Sequence, residues 1–539
     1  MTDGRLPDRR TVIAGGAIAA AGAAALALSR TDPAIPGTLG GADFTRGHRL
    51  RTGRFPAPTA EHRTRIAIVG GGVAGLSAAW TLAEAGVADF TLLELEDRAG
   101  GNARSGVNAV SAYPLGAHYL PIPNPEAKAV LRLLERLDIV TGWRDGKPVF
   151  DPYQVVADPD ERLLHLGRWR DGLVPTVGLT ATDKADLAAF FATMAVFRAR
   201  IGGDGRPAFA LPMALSSRDA DLLALDRISF TDWLHARGWR SPVLHAHVRY
   251  SCRDDYGTEP EHVSAWAGVH YWAGRRGVAA NCAGDAVLTW PGGNGRLVDA
   301  MAARVAANIR PAQIAYRITP TSDGVRVEHY DARTDTSHVT LADSLILATP
   351  RFVTDRLLGR HSKGLDYAPW LVANVTVDRL PAGPGAPLAW DNVSWTSRSL
   401  GYVVANHQSL DVAPGPTVLT WYYPLSDEAP ATARKRLLGT SLEAWQGLVR
   451  DDLLQTNPDL DGAIRRIDVW RWGHAMIRPA PGYFWSGARE AAAAPAPPLF
   501  FAHADLSGLS LFEEANYRGT KAAEEAMGHL AIPHTSLLV

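Results

Sequence analysis

Cysteine is scarce in this chain, since Cys252 and Cys282 are the only two among 539 residues. They form no C-x-x-C pair and no histidine cluster lies near them, so neither a metal site nor a dithiol redox site is expected. Two interpretations stay open at this point. The two residues form one disulfide in an oxidising compartment, or they are two separately buried thiols.

A surplus of charge is also missing, because 55 Lys and Arg residues stand against 56 Asp and Glu residues, a net charge of −1. This balance gives no reason to expect nucleic acid or an acidic membrane surface as a partner. Hydrophobic residues make up 46% of the chain. A chain of this length and composition exceeds one minimal domain and can bury a large core.

A long, strongly apolar run is absent as well. The Ala- and Gly-rich run over 11–29 is too short and too weakly hydrophobic for a spanning helix. Arg9 and Arg10 precede it, and Ala25 to Ala27 form an A-x-A-like cleavage site. Residues 1–29 resemble a twin-arginine export signal, which implies the twin-arginine machinery as a partner and a periplasmic or extracytoplasmic location. A chance arginine pair before an Ala-rich helix is the alternative, and an uncleaved signal would anchor the protein in the membrane.

The segment after the signal, 30–63, is rich in Pro, Gly and basic residues and keeps no apolar period. It is interpreted as a linker or a surface arm. A β-turn-α-β unit follows. The short apolar run over 66–69 predicts a buried strand, the spacing over 73–85 predicts a helix ending at Gly86, and 90–95 predicts a second strand.

The turn of this unit satisfies G-x-G-x-x-G with Gly70, Gly72 and Gly75. The first glycine permits a tight turn, the second lets a pyrophosphate approach backbone N–H groups, and the third lets helix and strand pack closely. Glu94 ends the second strand, where a carboxylate accepts from ribose hydroxyls. The complete unit predicts a dinucleotide site, and the acidic residue argues against a 2′-phosphorylated nucleotide.

The stretch "LLELEDRAGGNARS" extends this fingerprint. Glu94, Arg98, Gly100 and Gly101 resemble the pattern of the flavin amine oxidase superfamily, which includes monoamine and polyamine oxidases, protoporphyrinogen oxidase and phytoene desaturases. Asn102 stands where that family usually has Arg, and Arg104 is a substitute for the lost phosphate contact. The resemblance implies FAD as the cofactor, held noncovalently because no Cys or His stands at a matching attachment position.

Further blocks resemble the same family in the same order. "PLGAHYL" over 114–120 resembles its segment beside the flavin ring, "PGGNGRLVDAMA" over 291–302 its return to the flavin domain, and "ADSLILATP" its later strand. The C-terminal block places Asp505 at the ribityl or pyrophosphate, and Ala515 and Asn516 at a helix that faces the flavin. The cofactor-binding residues implied by the resemblance are Gly70, Gly72, Val73, Ala74, Gly75, Glu94, Leu95, Arg98, Gly100, Gly101, Asn102, Gly116, Ala117, His118, Tyr119, Asp505, Ala515 and Asn516.

The fold class expected from these blocks is α/β. A Rossmann-like FAD-binding domain is assembled from 64–125, 285–350 and 498–539. An α+β substrate domain interrupts it with a mainly helical segment, 126–284, and a sheet segment, 351–497.

The catalytic residues are less well defined by the sequence. Amine oxidases of this family often carry a Lys near the strand that ends here at Pro350, where this chain has Arg356 and, further on, the weak candidate Lys363. Asp254, Tyr271, Trp272, Tyr483 and Phe512 are candidates for a substrate pocket, with Asp254 binding an ammonium group. Core packing and internal ion pairs are the alternative roles of these residues.

The leading hypothesis is therefore an exported FAD-dependent oxidoreductase that takes hydride from an amine C–N bond, polyamines included, to flavin N5. A second hypothesis keeps the scaffold but acts on C–C bonds, as desaturases and protoporphyrinogen oxidase do. A third is a flavin-stabilised binding protein without turnover. A pocket lined by carboxylates favours the first hypothesis and a long apolar tunnel favours the second. The electron acceptor is not indicated by the sequence.

Overall fold

The computed structural model describes residues 35–360, 364–409 and 415–539. The predicted export signal and Lys363 lie outside the described residues. The described chain folds into two large sheets with helices packed on them, which confirms the predicted α/β class.

The first sheet has seven strands and contains the predicted β-turn-α-β unit. Five of its strands run parallel, in the order β12, β3, β2, β15 and β21, while β14 and β13 continue from β15 as antiparallel neighbours. The strands of this sheet are β2 Pro58–Val69, β3 Phe90–Leu93, β12 Ile309–Arg310, β13 Gln313–Thr321, β14 Gly324–Asp331, β15 Thr336–Leu347 and β21 Leu499–Phe501.

The second sheet has eight strands in the order β1, β20, β16, β19, β18, β17, β9 and β10. Its strands are β1 Leu39–Gly41, β9 Glu161–His165, β10 Arg168–Asp171, β16 Tyr367–Val377, β17 Asp391–Ser394, β18 Tyr402–Val404, β19 Thr417–Pro424 and β20 Ile464–Ile477. Three two-stranded antiparallel sheets complete the strands: β4 Ser105–Val107 with β5 Ala112–Pro114, β6 Tyr119–Pro121 with β11 Val287–Thr289, and β7 Val140–Arg144 with β8 Lys147–Phe150.

The helices follow the predicted amphipathic segments in most places. They are α1 Phe44–Thr52, α2 Val73–Glu84, α3 Lys128–Arg136, α4 Ala181–Ala199, α5 Ala220–Ala224, α6 Phe230–Ala236, α7 Pro242–Tyr256, α8 Ala265–Ala273, α9 Gly295–Arg304, α10 Arg351–Leu357, α11 Pro430–Gly439, α12 Leu442–Thr456, α13 Ala488–Ala493 and α14 Phe512–His529. Within the described ranges no helix combines the length and the apolar character that crossing a membrane requires.

The β-turn-α-β unit forms because its sequence is apolar throughout. Ile66, Ile68 and Val69 of β2 are buried, as expected for a parallel strand covered on both faces. α2 runs from Val73 to Glu84, and Gly86 beyond it has a left-handed φ of 76°. α14 packs against α2 so closely that a Cβ at Gly519 would lie 2.1 Å from the Ala74 carbonyl oxygen.

One expectation needs correction. Of the two interpretations of 30–63, a linker without structure does not hold from residue 35 onward, because this part holds β1, α1 and the start of β2, while its partly buried and exposed residues agree with a surface arm. β1 pairs with β20 at the edge of the second sheet. α1 has no buried residue, so it carries no apolar stripe that a sequence pattern would reveal.

The predicted helical segment 126–284 also differs from expectation. It contains α3 to α8, and a core that includes Phe190 and Trp266 lies in it, but it supplies β9 and β10 to the second sheet as well. Cys252 is buried on α7 and Cys282 is partly exposed, and both are free thiols. The predicted division into domains stays a prediction in its boundaries.

Candidate active site

A first cavity of about 310 Å3 lies where β2 and β3 end and α2 begins. Its walls come from distant parts of the chain. The predicted cofactor residues on its wall are Gly70, Gly72, Val73, Ala74, Glu94, Leu95, Gly101, Asn102, Ala117, Asp505 and Ala515. The parallel strands therefore bring this predicted set together at their carboxyl ends, where ligands bind in open α/β sheets.

The glycine turn has the backbone geometry that a phosphate site requires. Gly70 has a φ of 103°, and a Cβ there would lie 2.6 Å from the Ala348 carbonyl oxygen. A Cβ at Gly75 would lie 1.8 Å from the Gly70 oxygen, so a larger residue would push α2 off the turn. A Cβ at Gly72 would meet only Gly101 Cα, at 3.9 Å. This position faces open space at a helix N-terminus without a side-chain cap, which favours an anion.

Glu94 lies directly after β3 on the wall of the first cavity. Its carboxylate accepts from the backbone amides of Gly71, at 2.6 Å, and Glu96, at 2.7 Å. Burial raises the pKa of Glu94, although these two amides act in the opposite direction. The residue is fixed at the end of the strand, as expected for a group that accepts from ribose hydroxyls.

The loop after β3 departs in part from expectation. Asn102 lies on the wall and donates from Nδ2 to the Ala475 carbonyl oxygen at 2.6 Å. Arg98 and Gly100 are not on the wall of the first cavity. Arg98 is exposed and donates to the Ser105 carbonyl oxygen, while Gly100 shapes the loop with a φ of 125°. Arg104 donates to the Gly101 oxygen at 3.2 Å, so it braces the loop and does not reach the cavity as a phosphate ligand.

Asp505 is the buried acidic group on the opposite wall. It accepts from the Arg351 amide at 2.8 Å and the Tyr367 hydroxyl at 2.6 Å, and His503 Nδ1 lies 3.0 Å from it. Burial acts to raise the pKa of Asp505, but His503 and the hydrogen bonds outweigh it and hold the pKa below its usual value. Asp505 is therefore an ionised acceptor in the cavity.

The N-terminus of α14 closes the first cavity. Leu511, Phe512 and Ala515 line it, and the helix has no side-chain cap. Its free first-turn amides suit a group that develops negative charge. Asn516 does not face the cavity, because its Nδ2 donates to Ser77 Oγ on α2 at 3.0 Å. Asn516 is predicted from the sequence to contact the cofactor, but in the structure its side chain joins two packed helices instead.

A second cavity, of about 160 Å3, lies next to the first. Several residues line both cavities: Asn102, Ala117, Ala475, Ser510, Leu511 and Phe512. The predicted segment Gly116 to Tyr119 forms one wall of the second cavity. His118 stacks on Tyr422 with ring centroids 4.6 Å apart, and burial lowers the pKa of His118 to about 3, so it is neutral. The other aromatic walls are Tyr250, Trp370 and Trp472.

The wall of the second cavity has more carboxyl groups than cationic groups. Asp254, Asp255, Asp391 and Glu513 are on its wall, together with Arg275. Asp255 is paired with Arg275 at 2.6 Å. Among the described residues none donates a hydrogen bond to the Asp254 side chain. Burial, and then the neighbouring acids, raise the pKa of both Asp254 and Asp391.

The other predicted pocket residues divide into two groups. Asp254 and Phe512 line the second cavity, but Tyr271, Trp272 and Tyr483 do not. The Arg275 guanidinium lies over Tyr271, 4.6 Å from the ring centroid. Trp272 packs in the helical core, 4.9 Å from Phe190, and Tyr483 donates to the Asp505 carbonyl oxygen at 2.7 Å. These three assignments are corrected to packing and support.

Sequence reasoning missed Asp391, Trp370, Tyr422 and Glu513. The first three lie on strands of the second sheet. No local sequence pattern indicates that this sheet lies close to the flavin-family motifs. Of these four residues, only Glu513 could have been predicted, because it lies in the C-terminal block next to the predicted pocket residue Phe512.

No lysine is on the wall of either cavity in the part of the chain that the structure describes. Arg356 on α10 is exposed and donates to the Leu50 carbonyl oxygen at 2.9 Å. Lys363 lies outside the described residues. The described residues also contain no group of three or more His, Cys, Asp or Glu side chains placed to hold a metal ion.

The first cavity fits a flavin dinucleotide by its own geometry. It combines an uncapped helix N-terminus next to an open glycine, a buried carboxylate at the end of β3, and a second uncapped helix at its far end. These features match a pyrophosphate, a ribose and a ring system that accepts electrons. The far end adjoins the second cavity, so a ring bound there would face it.

Comparisons with known proteins agree with this geometry. Tryptophan 2-monooxygenase of Pantoea agglomerans pv. gypsophilae is 40% identical over 89 residues, which cover 16% of this chain and 15% of that protein. A triple mutant of putrescine oxidase is similar in fold, with a TM-score of 0.64 at 15% identity over 87% of this chain and all of that one. Cyclohexylamine oxidase from Brevibacterium oxydans has a TM-score of 0.61 at 16% identity, over 87% and 99%.

The family model for flavin containing amine oxidoreductases matches residues 73–527. This range includes the whole wall of the second cavity, the part of the first cavity's wall that follows Gly72, and α14 up to residue 527. The match confirms the predicted resemblance and the prediction of a FAD-dependent oxidoreductase. The chain belongs to the flavin containing amine oxidoreductase family.

Proposed function

We propose that this protein binds FAD noncovalently along the first cavity and oxidises an amine in the second cavity. The observation that carries the proposal is the direct contact between the two. The residues on their shared wall stand between a dinucleotide-shaped site and a pocket of aromatic rings and carboxyl groups. The amine oxidases among the structural neighbours support the same assignment.

In this proposal the pyrophosphate lies at the N-terminus of α2, near Gly70 and Gly72, because backbone amides there are free to donate. Glu94 accepts from a ribose hydroxyl. Asp505 accepts from the ribityl chain or orders a water at the pyrophosphate. Ala515 and the first turn of α14 lie against the ring, where the helix dipole stabilises negative charge.

The second cavity suits an amine because its acidic groups exceed its cations. Arg275 is already neutralised by Asp255, which leaves Asp254 and Asp391 without a cation of their own on the cavity wall. An ammonium group would favour the ionised form of these carboxyl groups by pairing with them, and aromatic faces such as Tyr422 attract cations as well. A pocket of this kind does not suit a purely apolar substrate.

The flavin supplies the electron-accepting chemistry when bound. The residues of this chain hold the amine, orient its carbon toward the shared wall and exclude water. Trp370, Tyr422 and Trp472 form the aromatic part of the second cavity's wall, and holding the reacting atoms in place accounts for much of the rate of such reactions. Asp254 holds the nitrogen end.

The proposal is tested by purifying the folded protein and mixing it anaerobically with a series of amines. We expect amines, diamines and polyamines among them, to bleach the flavin band near ~450 nm. Apolar substrates with saturated C–C bonds serve as the comparison series. Reduction by these alone would support the desaturase-like alternative, and a flavin that no donor reduces would support a binding protein without turnover.

Noncovalent attachment has a separate test. Acid precipitation of the protein should leave the yellow colour in the supernatant, as FAD that is not bonded to the chain dissolves when the fold is lost. Colour retained in the pellet would show a covalent bond to the protein.

We also propose that residues 1–29 direct export by the twin-arginine route. A reporter fused to this segment should reach the periplasm, and replacing both Arg9 and Arg10 by Lys should retain it inside the cell. Export that persists in a host without the twin-arginine machinery would contradict this assignment.

A further inference from the structure

We propose that Glu513 is the proton acceptor that converts the bound ammonium of the substrate into the neutral amine before oxidation. The inference rests on the proposed function. It concerns a residue that neither the sequence motifs nor the family match assigns. An amine can lose hydride from its carbon only when the nitrogen lone pair is free, so an ammonium substrate needs a base.

The position of Glu513 meets the first requirement of a base, which is reach. Glu513 lines the second cavity, and the two residues before it, Leu511 and Phe512, line both cavities. Glu513 itself lines only the second cavity, but it directly follows residues that both cavities share. Asp254 and Asp391 also line the second cavity and lie on other elements, α7 and β17.

The second requirement is a free oxygen. Glu513 is only 2% exposed, and its Oε1 has no hydrogen-bond partner among the described residues. A buried oxygen without a partner costs free energy, which a ligand that donates an N–H there would recover. The neighbouring Glu514 also has one buried oxygen without a partner, Oε2, but it is not on the wall of the second cavity and its Oε1 accepts from the Met213 amide.

The electrostatic surroundings agree with a base that works near neutral pH. Burial raises the pKa of Glu513 to about 7, although its own backbone amide and Arg275 act in the opposite direction, while Glu514 and Asp255 add to the rise. A general base is most effective when its pKa lies near the working pH. The titratable and charged groups that share the cavity with Glu513 are His118, Tyr119, Tyr250, Asp254, Asp255, Arg275, Asp391 and Tyr422, and those that share its helix are Glu514, Tyr517, Arg518, Lys521, Glu524, Glu525 and His529.

The proton balance of the step is simple. One N–H bond of the ammonium breaks, its electron pair stays on nitrogen, and an O–H bond forms at Glu513 Oε1. The neutral amine is the form from which a bound flavin would accept hydride at the adjacent carbon, which would leave an iminium cation. Among the carboxyl groups on the wall of the second cavity, Glu513 is the one that directly follows residues shared by both cavities.

The experiment compares Glu513→Gln with the matched control Glu514→Gln in anaerobic rapid mixing with excess amine across a range of pH. In the unaltered enzyme, flavin reduction should rise with pH through about 7, because a carboxyl must be ionised to accept a proton. Glu513→Gln should lose this rise and reduce about 100-fold more slowly at neutral pH. The deficit should shrink at high pH, where the free amine is already neutral.

Glu514→Gln should keep the pH profile of the unaltered enzyme, and Glu513→Asp should restore part of the rate. Flavin content and melting temperature identify any variant that fails to fold. A Glu513→Gln enzyme with an unchanged pH profile would overturn the inference, while flavin reduction by amines would still support the proposed function. If no amine reduces the unaltered enzyme, the proposed function fails and the inference with it.

An infrared difference spectrum gives a second measurement that needs no turnover. Adding an amine without hydrogen on the carbon next to nitrogen should produce the carbonyl band of a newly protonated carboxyl. The band should disappear in Glu513→Gln and persist in Glu514→Gln. A band that is unchanged in Glu513→Gln would assign the proton to another group and contradict the inference.

Discussion

The first and second cavities differ in what forms their walls. The wall of the first cavity consists of glycines, small residues and backbone amides, and its polar groups are the helix termini and two carboxylates held by hydrogen bonds. Large aromatic side chains and carboxyl groups with shifted pKa values line the second cavity. Backbone geometry suits a cofactor that all members of a family share. Side chains from separate elements suit a substrate that differs between members.

The largest expected effect is on the first cavity. Gly72→Val adds side-chain atoms where a Cβ meets no protein atom nearer than 3.9 Å, so it should exclude the pyrophosphate without disturbing the fold. We expect loss of bound flavin and of activity, together with about 3 kcal/mol of the stability that a tightly bound cofactor contributes. Absorbance and thermal unfolding measure both. Gly47→Ala, where a Cβ meets nothing within 4 Å, is the control and should bind flavin normally.

The next effect tests the charge balance of the second cavity. Asp255→Asn removes the partner of Arg275, which lies 2.6 Å away, and leaves a buried cation unpaired. The free energy of unfolding should fall by about 3 kcal/mol, measured by denaturant unfolding of the holoenzyme. A variant as stable as the parent would show that Arg275 pairs with another carboxyl group of the cavity. The cavity would then hold fewer unpaired carboxyl groups than the structure indicates.

Asp254→Asn should change substrate binding more than stability, because no residue that the structure describes donates a hydrogen bond to its carboxyl. Losing a charged hydrogen bond of about 1.5–3 kcal/mol should raise KM for amines roughly 10- to 100-fold. Because the pKa of Asp254 is raised, binding in the parent should strengthen as pH rises and the carboxyl ionises. Steady-state kinetics over pH check both expectations, and an unchanged KM would remove Asp254 from the amine site.

The smallest effect is expected at Arg356. This side chain is exposed and donates only to the Leu50 carbonyl oxygen, away from both cavities. Arg356→Ala should leave the rate of flavin reduction unchanged and stability within about 0.5 kcal/mol. A large loss of rate would show that α10 moves this residue to the flavin during turnover, in the place of the family lysine.

The two cavities also differ in how much of their walls could be predicted from the sequence. The glycine turn, Glu94 and Asp505 could be predicted because each lies in a local motif with its own backbone signature. Arg98 and Asn516 occur in those motifs too, but the structure turns them toward Ser105 and Ser77. A motif therefore fixes which segment lies at the cavity, while the direction of each side chain depends on the neighbours it meets.

The sequence by itself determined the parallel βαβ unit, the order of the flavin-family blocks and the cofactor class, because these depend on residues close together in the chain. Only the tertiary structure decided which residues form the second cavity. Asp254 comes from α7, Asp391 from β17 and Glu513 from α14. Their meeting depends on how the second sheet and the helices pack against the first sheet, and that packing is a property of the whole buried surface.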